Sequence, residues 1–418
     1  MPYDFDMLLD RSRTDAVKWS LLPDWDHPER TRQTDQYRAD GLIPLWVADM
    51  DLPCPQAVTL ALKKRAAHPA FGYTLAGESY QNSVTRWMKH RHGWSVDPGH
   101  ILVSPGVVPA LHLLVRAFTK PGQKVLVQQP VYYPFFSAIK TGGCEVVSNA
   151  LKNAGGRYEM DLSGLEAACA DPNVTLAILC NPHNPVGRVW RPGELKAFGE
   201  CCAAHGVQVV SDEIHGDLIL PGHTFTPFAS IEKFGETCIT CTAPSKTFNL
   251  AGLQTANIII PDPDLRKRFR AELQAAGLMG INPFGKVACE AAYAEGEPWL
   301  EKLIDYLAGN FQTLKHTLTA QAPGIRITPL EGTYLVWMDF RYTGIPYERL
   351  RQLMRDKARL VMDEGHAFGP EGKGFMRMNI ACPRAGVMAA AERIADALLP
   401  VASGGQGDDP PAPPDVTF

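Results

Sequence analysis

Two stretches of the chain decide its fold: residues 207–215 read VQVVSDEIH, and residues 237–246 read TCITCTAPSK. Each opens with a short run of apolar and β-branched residues, Val207–Ser211 in one and Thr237–Thr242 in the other. Such runs are typical of strands buried on both faces of a parallel sheet. Each run is followed at once by polar or ionisable residues, which places chemical groups at the ends of the predicted strands.

The same pattern recurs along the chain. Further apolar runs predict buried strands at Lys124–Gln128, Val174–Cys180 and Ala256–Ile260. Helical stretches separate several of these runs. Pro192–His205, for example, has a proline at its start and Gly206 just beyond its end. This alternation predicts an α/β fold with a large, mostly parallel sheet of the seven-stranded type.

The carboxyl-terminal half follows a different pattern. A long helical region is predicted at 283–321, strands at Gly324–Pro329, Thr333–Phe340 and Gly374–Ala381, and helices at 346–359 and 384–399. We expect an amino-terminal arm at 1–47 that belongs to a small domain, a large α/β domain at 48–290, a small α+β domain at 291–402 and a disordered tail at 403–418, which is rich in glycine and proline.

Composition excludes several classes of function. Of the 418 residues, 45% are hydrophobic and 21% are charged, and the net charge is −4, so nucleic acid is not an expected partner. No apolar run approaches the roughly 20 residues that span a bilayer, and the acidic start lacks a signal-peptide core. We therefore expect a soluble cytoplasmic protein, no membrane partner, and ten cysteines that are reduced.

Polar residues follow three predicted strands. Asn181 and Asn184 follow one, Asp212 and His215 follow the second, and Ser245 and Lys246 follow the third. Ligands bind at the carboxyl ends of the strands in such sheets, so these residues are expected to share one edge.

Lys246 and Asp212 are the main candidates for catalysis. A lysine among small and apolar residues loses solvation, which lowers its pKa and makes a carbonyl-reactive amine. A carboxylate at the end of a buried strand could pair with a protonated ring nitrogen. Taken alone, Lys246 could equally be a surface lysine, and Asp212 could cap a helix or pair with an arginine.

Three other features have a chemical and a structural interpretation. Residues 104–111 (SPGVVPAL) form a turn into a helix, whose start could bind phosphate or be an ordinary helix start. Tyr132 could stack on a planar ligand or pack in the core. Arg377 could bind a carboxylate with both arms or form a structural ion pair.

Two short motifs are discounted. Cys238 and Cys241 match C-x-x-C, but strand alternation would point the two thiols to opposite faces of the sheet. The run at 212–215 does not match the spacing of a known metal-ligand motif. No metal is therefore expected. A Ser/Lys hydrolase is a remote alternative, because Ser137 and Lys140 match S-x-x-K, but the K-T-G match uses the same lysine.

Taken together, the motifs resemble the fold-type I pyridoxal-phosphate (PLP) enzymes of the class I/II aminotransferase superfamily, and most closely the MalY/PatB group of cystathionine β-lyases, or C–S lyases. The blocks that carry the likeness occur in the family's order between residues 11 and 400: RTDAVKW (13–19), LWVADMDLP (45–53), FGY (71–73), SPGVVPA (104–110), PVYYPF (130–135), CNPHNPVG (180–187), SDEIH (211–215), PSKTFNLAGL (244–253), GTYLVWMDF (332–340) and RMNIACPR (377–384).

The resemblance implies roles for individual residues. Lys246 would be the Schiff-base lysine and Asp212 the partner of the pyridine nitrogen. The other implied PLP contacts are the backbone of Gly106, Val107 and Val108, the side chains of Tyr132, Asn184, His215 and Ser245, and Tyr73 from the partner subunit of a homodimer with shared active sites. The implied substrate contacts are Trp46, Ala48, Asn184 and Arg377, with Arg377 on the α-carboxylate. Ala243 departs from the serine of many relatives, so a phosphate contact would shift to Thr242 or Ser245.

The resemblance also implies the reaction. It points to cleavage of cystathionine or another S-substituted cysteine to a thiol, pyruvate and ammonia. The alternative is a PLP-dependent aminotransferase on an amino-acid substrate, because both reactions use the same cofactor groups.

Overall fold

The apolar runs assemble into one seven-stranded sheet, as the sequence predicts. In the computed structural model, residues 3–11 and 13–399 are described, and the predicted disordered tail at 403–418 lies outside them. The described residues divide into a large unit, residues 54–305 and 329–333, and a small unit formed by the other described residues.

The sheet of the large unit is parallel except for one strand. Its strands are β1 (Ile101–Ser104), β2 (Lys124–Val127), β3 (Glu145–Ser148), β4 (Val174–Cys180), β5 (Gln208–Asp212), β6 (Ile239–Thr242) and β7 (Ala256–Ile259). The spatial order is β1-β7-β6-β5-β4-β2-β3, and only β7 runs antiparallel to its neighbours. The fold-class prediction is confirmed.

Helices connect these strands. They are α1 (Gln56–Ala66), α2 (Gly77–His92), α3 (Val107–Phe118), α4 (Pro134–Thr141), α5 (Leu162–Cys169), α6 (Pro192–Ala204), α7 (Pro244–Thr247), α8 (Pro263–Ala275) and α9 (Pro283–Glu295). A short hairpin pairs Lys152–Ala154 with Arg157–Glu159. The apolar face of α3 packs with the strands in the main core, where Leu114, Ile178 and Val210 are at most 1% exposed.

The region predicted as one helix at 283–321 is two. Gly296 separates α9 from α10 (Glu297–Gln321). A Cβ atom at Gly296 would lie 2.4 Å from the Ala292 carbonyl oxygen and 2.5 Å from the Phe248 ring, so only glycine fits there. Residues 297–305 of α10 belong to the large unit and the rest to the small unit.

The small unit contains a four-stranded antiparallel sheet. Its strands are β8 (Arg326–Ile327), β9 (Leu335–Asp339), β10 (Asp363–Glu364) and β11 (Phe375–Asn379), in the order β8-β9-β11-β10. The helices are α11 (Tyr347–Gln352), which continues as a wider turn over Leu353–Lys357, and α12 (Arg384–Leu398). Short helical segments occur at Val17–Ser20 and Gln36–Ala39, and two-residue strands pair Leu21–Leu22 with Arg32–Gln33 and Ile43–Pro44 with Leu360–Val361.

A buried ion cluster holds the amino-terminal arm within the small unit. Lys18 is 0% exposed, and its Nζ lies 2.6 Å from Asp51 Oδ2. Arg11 reaches the other oxygen of Asp51 and also Asp49, each at 2.7 Å. These contacts join the RTDAVKW and LWVADMDLP blocks, so the arm is an integral part of this unit. Among the helices described, none is both long and apolar enough to cross a membrane.

Candidate active site

Asp212 is the last residue of β5 and lies deep in the large unit. It is 3% exposed, and its Oδ1 accepts a hydrogen bond from the Ile214 amide at 3.2 Å. Burial raises the pKa of Asp212 to about 7, although the Ile214 amide and the Lys246 charge act to lower it. The positive charge of a cationic ligand group would therefore stabilise the ionised form of Asp212.

Lys246 lies within electrostatic range of Asp212. Strand β6 ends at Thr242, and Lys246 follows on α7, a helix of only four residues. The parallel register aligns Asp212 with Cys241, so β5 and β6 end at the same edge of the sheet. Lys246 is half-buried there, as expected for an amine that must react with a bound ligand.

A buried aspartate anchors the helix that carries Lys246. The Thr247 hydroxyl donates to Asp217 Oδ2 at 2.7 Å. Trp87 Nε1 donates to Asp217 at 3.1 Å, and His92 Nε2 lies 2.9 Å from it. Burial acts to raise the pKa of Asp217, but the contacts with His92 and Thr247 and the charge of Arg91 together hold the pKa below its usual value. Sequence reasoning missed Asp217, because its partners lie up to 130 positions away.

The loop after β4 is joined to the same edge. The Asn181 amide donates to the Asp212 carbonyl at 2.9 Å, and the Asn184 amide contacts Cys180 Sγ at 3.4 Å. Asn184 is 3% exposed. The structure therefore brings Asn184 to the edge that holds Asp212 and Lys246, as the sequence predicts.

His183 connects two of the predicted ligand-binding loops. Its Nε2 donates to the Pro130 carbonyl at 2.9 Å, which ties the loop after β4 to the segment that carries Tyr132. Burial lowers the pKa of His183 to about 4, so the ring is neutral. Tyr132 is half-buried and packs edge-on against Phe135, with ring centroids 5.9 Å apart. His183 was also missed, and its place between two Asn-Pro pairs is the only sequence signal for it.

The start of α3 offers backbone amides to an anion. Strand β1 is parallel to β6, so the Gly106 turn and α7 lie at the same edge of the sheet. No side chain caps α3, which leaves the amides of its first turn, including those of Val107 and Val108, without a helical partner. A helix start of this kind suits a phosphate group.

The residues next to Lys246 indicate which side chain could replace the serine that many relatives carry in place of Ala243. Ala243 is buried and supplies no hydroxyl, and the Thr242 hydroxyl accepts from Asn257 Nδ2 at 3.5 Å. Ser245 is half-buried on α7. Since Thr242 is 6% exposed inside the sheet, Ser245 is the better placed of the two to replace a missing phosphate contact.

The remaining residues around Asp212 are also buried. His215 is 4% exposed, and so is Glu213, whose Oε1 accepts from Ser211 Oγ and the Phe228 amide at 2.8 Å each. Burial raises the pKa of Glu213 to about 8, and the two hydrogen bonds act against this.

The predicted substrate residues lie in the small unit. Arg377, on β11, is 1% exposed, and its Nε donates to Asp363 Oδ2 at 2.9 Å. Its Nη2 donates to the Trp46 carbonyl at 3.1 Å. Ala48 is buried, and its carbonyl accepts from the Tyr334 hydroxyl. Arg377 thus has the structural ion pair that was its alternative interpretation, and this pair fixes the direction of the guanidinium.

Tyr73 differs from the other predicted ligands. Its exposure equals that of an isolated residue, at 111%, and Leu75 beside it is 80% exposed. The structure does not bring Tyr73 into a packed site within the described part of the chain.

Comparison with known proteins agrees with this geometry. The family model "Aminotransferase class I and II" matches residues 40–394. This chain belongs to that family. Cystathionine beta-lyase PatB of Bacillus subtilis (strain 168) is 44% identical over 396 residues, which cover 94% of this chain and 100% of the relative.

Two solved structures are similar to this chain over nearly its whole length. Cystalysin from Treponema denticola has a TM-score of 0.89 at 38% identity and covers 95% of this chain and 99% of its own. The PLP-bound C–S lyase from Staphylococcus hominis has a TM-score of 0.87 at 32% identity, with coverage of 96% and 99%.

The residues present fit the cofactor of such enzymes. Asp212 is a desolvated carboxylate that a protonated ring nitrogen would stabilise. Lys246 is the amine at the same edge, and the uncapped start of α3 suits the phosphate. Cys238 and Cys241, by contrast, are buried reduced thiols whose pKa values burial raises, so they do not resemble a reactive pair.

Proposed function

We propose that this protein is a PLP-dependent carbon–sulfur β-lyase that cleaves cystathionine or another S-substituted cysteine to a thiol, pyruvate and ammonia. The observation that carries the proposal is the pairing of buried Asp212 with Lys246 at the carboxyl edge of the sheet, in a chain 44% identical to a cystathionine β-lyase over nearly its whole length. When bound, PLP withdraws electrons from the bonds at the substrate's Cα.

Lys246 has two tasks in this reaction. Its Nζ would hold the cofactor covalently between turnovers, and as a free amine it would remove the proton from Cα as a general base. Loss of that proton prepares loss of the thiolate at Cβ. Hydrolysis of the remaining three-carbon unit gives pyruvate and ammonia.

The other residues hold and tune the reactants. Asp212 would keep the proton on the ring nitrogen, Asn184 would bond the phenolic oxygen with His215 nearby, and Tyr132 would stack on the ring. The start of α3 and Ser245 would bind the phosphate. Arg377 binds the α-carboxylate, and its orientation by Asp363 supports this role because a fixed guanidinium loses little freedom on binding. Trp46 and Ala48 lie on the substrate side.

We also propose a two-fold homodimer in which Tyr73 of each subunit serves the other's phosphate site. The exposure of Phe71, Tyr73 and Leu75 supports this, because three large hydrophobic side chains within five residues are at least half exposed. An apolar cluster of this kind is typical of a protein interface.

The decisive experiment mixes the holoenzyme with excess cystathionine and no keto acid. A lyase releases pyruvate, ammonia and homocysteine over many turnovers, whereas an aminotransferase stops after one half-reaction and resumes only when a keto acid is added. Sustained release supports the proposal, and a single stoichiometric turnover rescued by a keto acid would overturn it in favour of the aminotransferase.

Borohydride labelling tests the lysine assignment. Reduction should fix the cofactor on Lys246, and mass spectrometry should find it on no other lysine. Lys246→Ala should abolish turnover. Lys140→Ala is the matched control, because Lys140 is exposed on α4 and belongs to the S-x-x-K match. A label elsewhere would refute the assignment, and loss of activity in Lys140→Ala would revive the hydrolase.

A further inference from the structure

Two helices of the large unit bring a carboxylate, a thiol and an imidazole together, far along the chain from Lys246. Glu166 lies on α5, Cys201 lies on α6, and His205 follows α6 directly. One ligand atom from each lies within 4.8 Å of the other two. Cys201 and His205 are four positions apart and therefore share one face of the helix end.

Two of the three spacings between these groups match those of a tetrahedral metal site. Cys201 Sγ lies 3.3 Å from Glu166 Oε2, and His205 Nε2 lies 3.3 Å from Glu166 Oε1. Ligands of a tetrahedral zinc ion, at the usual metal–ligand distances, lie roughly 3.3–3.6 Å from one another. The three groups need only small side-chain movements to enclose an ion.

The orientation of the His205 ring is the second observation. Its Nδ1 lies 3.0 Å from the Cys201 carbonyl oxygen. A carbonyl only accepts, so Nδ1 carries a hydrogen and Nε2 is the ring nitrogen directed toward the Glu166 carboxylate. A backbone bond at Nδ1 that directs Nε2 toward a metal is the usual arrangement of a histidine ligand.

We propose that Glu166, Cys201 and His205 form a zinc-type metal site on the surface of the large unit, with solvent in the fourth position. A thiolate, an imidazole and a carboxylate form a donor set suited to zinc. The Glu166 side chain is 62% exposed and the His205 side chain 23%, so an ion can enter from solvent.

The site is separate from the proposed lyase chemistry. Helix α5 leads into β4 and α6 leads into β5, so the ends of these helices lie near the starts of the two strands. Asp212 lies at the opposite end of β5, and Asn184 lies just beyond the opposite end of β4. A bound ion would join α5 to α6 at the amino edge of the sheet, and we expect it to raise thermal stability without changing turnover.

A redox pair is the rival interpretation of this cluster. Cys169 interacts with Cys201 and Cys202, so oxidation could join two of these thiols. A disulfide needs no metal and would consume two thiols per chain. A thiol count therefore separates the two interpretations.

The test uses reduced holoenzyme that has been treated with a chelator and then titrated with Co²⁺. We expect one equivalent per chain, a thiolate-to-cobalt charge-transfer band in the difference spectrum, displacement by Zn²⁺ and a higher Tm. Cys201→Ser should abolish the band, and His205→Gln and Glu166→Gln should each weaken binding at least ~10-fold, since even a lost supporting bond costs that much. Cys54→Ser is the matched control, because Cys54 is also a half-buried thiol.

Several results would overturn the proposal. These are no stoichiometric cobalt binding while all thiols are reduced, a band that persists in Cys201→Ser, or loss of two thiols on mild oxidation with no metal bound. Should Cys201→Ser fail to fold, unchanged affinity in Glu166→Gln and His205→Gln would be equally decisive. Turnover on cystathionine is measured alongside, and its presence or absence does not bear on metal binding.

Discussion

Asp212 and Glu213 are adjacent carboxyl groups whose pKa values burial raises to about 7 and about 8. The unfolded chain would lose the Asp212 proton near pH ~4, while the folded, cofactor-free chain keeps it until about 7. The folded state therefore binds more protons in that window, and its stability falls as the pH rises through it.

This predicts a pH-dependent stability that Asp212 controls. In cofactor-free protein, the free energy of unfolding should fall between about pH 5 and about pH 8. Asp212→Asn should reduce that fall by roughly 2–3 kcal/mol. The substitution removes a carboxyl whose raised pKa makes stability fall over about two pH units of this range. Urea denaturation at both pH values measures this. Equal falls in the two proteins would show that the pKa of Asp212 is not raised.

The second prediction at the scale of the residue concerns Arg377. Arg377→Lys keeps a charge beside Asp363 but loses the planar fork, so KM for every amino-acid substrate should rise at least ~10-fold. Arg341→Lys is a matched control, because Arg341 also pairs with an aspartate of this sheet, Asp339. The Arg341 side chain, however, is 48% exposed. A KM unchanged in Arg377→Lys would mean that the buried ion pair is the whole role of Arg377.

The candidate site could be predicted only in part at this scale. Asn184, Asp212 and Lys246 follow apolar runs, so the rule that parallel strands end at one edge located them. Asp217 and His183 could not be found in this way. Their importance comes from partners such as Trp87 and Pro130, which the fold brings near but the local sequence does not reveal.

At the scale of elements, α7 is too short to be stable alone. Isolated helices shorter than about 12 residues are marginal in water, and α7 has four. The Thr247–Asp217 hydrogen bond therefore positions the turn that carries Lys246.

Thr247→Val tests this because it keeps the side-chain shape and removes the hydroxyl. The cofactor should still attach, kcat should fall about tenfold or more, KM should change little, and stability should fall by about 1–3 kcal/mol because Asp217 loses a buried bond. Thr240→Val is the control, since Thr240 is also buried near the site and its hydroxyl lies 3.7 Å from the Cys238 Sγ rather than on Asp217. If both variants lose kcat equally, the Asp217 contact does not position Lys246.

The prediction of elements succeeded where apolar runs were long. The central strands β4, β5 and β6 were placed within two residues of their observed bounds. The four-residue strands β1 and β3 were not predicted. They are the two edges of the sheet. Strand β3 is exposed at both ends and therefore needs no continuous apolar run, whereas β1 is largely buried but its apolar run, Ile101–Val103, is only three residues long.

At the scale of the whole molecule, the units are interleaved in a way that the sequence does not reveal. The sequence suggested a continuous large domain at 48–290, whereas residues 329–333 group with 54–305 in the structure. Glu331 explains this, because it pairs with Arg188 at 2.9 Å and Arg157 at 3.0 Å, both in the large unit. An ion pair between residues more than 140 positions apart leaves no pattern in the local sequence that could predict it.

The proposed homodimer gives the last prediction. If Tyr73 serves the site of the partner subunit, Tyr73→Ala and Lys246→Ala should each be inactive or nearly so for different reasons. In a heterodimer of the two variants, one site loses both groups. The other site receives Lys246 from one subunit and Tyr73 from its partner, and is intact.

Co-expression with two different tags allows this heterodimer to be purified and assayed for pyruvate release. It should recover about half of the wild-type activity per dimer, because one of two equivalent sites is restored. If Tyr73 acted within its own chain, each site of the heterodimer would lack one group and no activity would return. Sedimentation should show a species of twice the chain mass, and a fully active monomer would refute the shared site. Because Tyr73 is fully exposed within its own chain, a packed role for it requires a second chain to cover it.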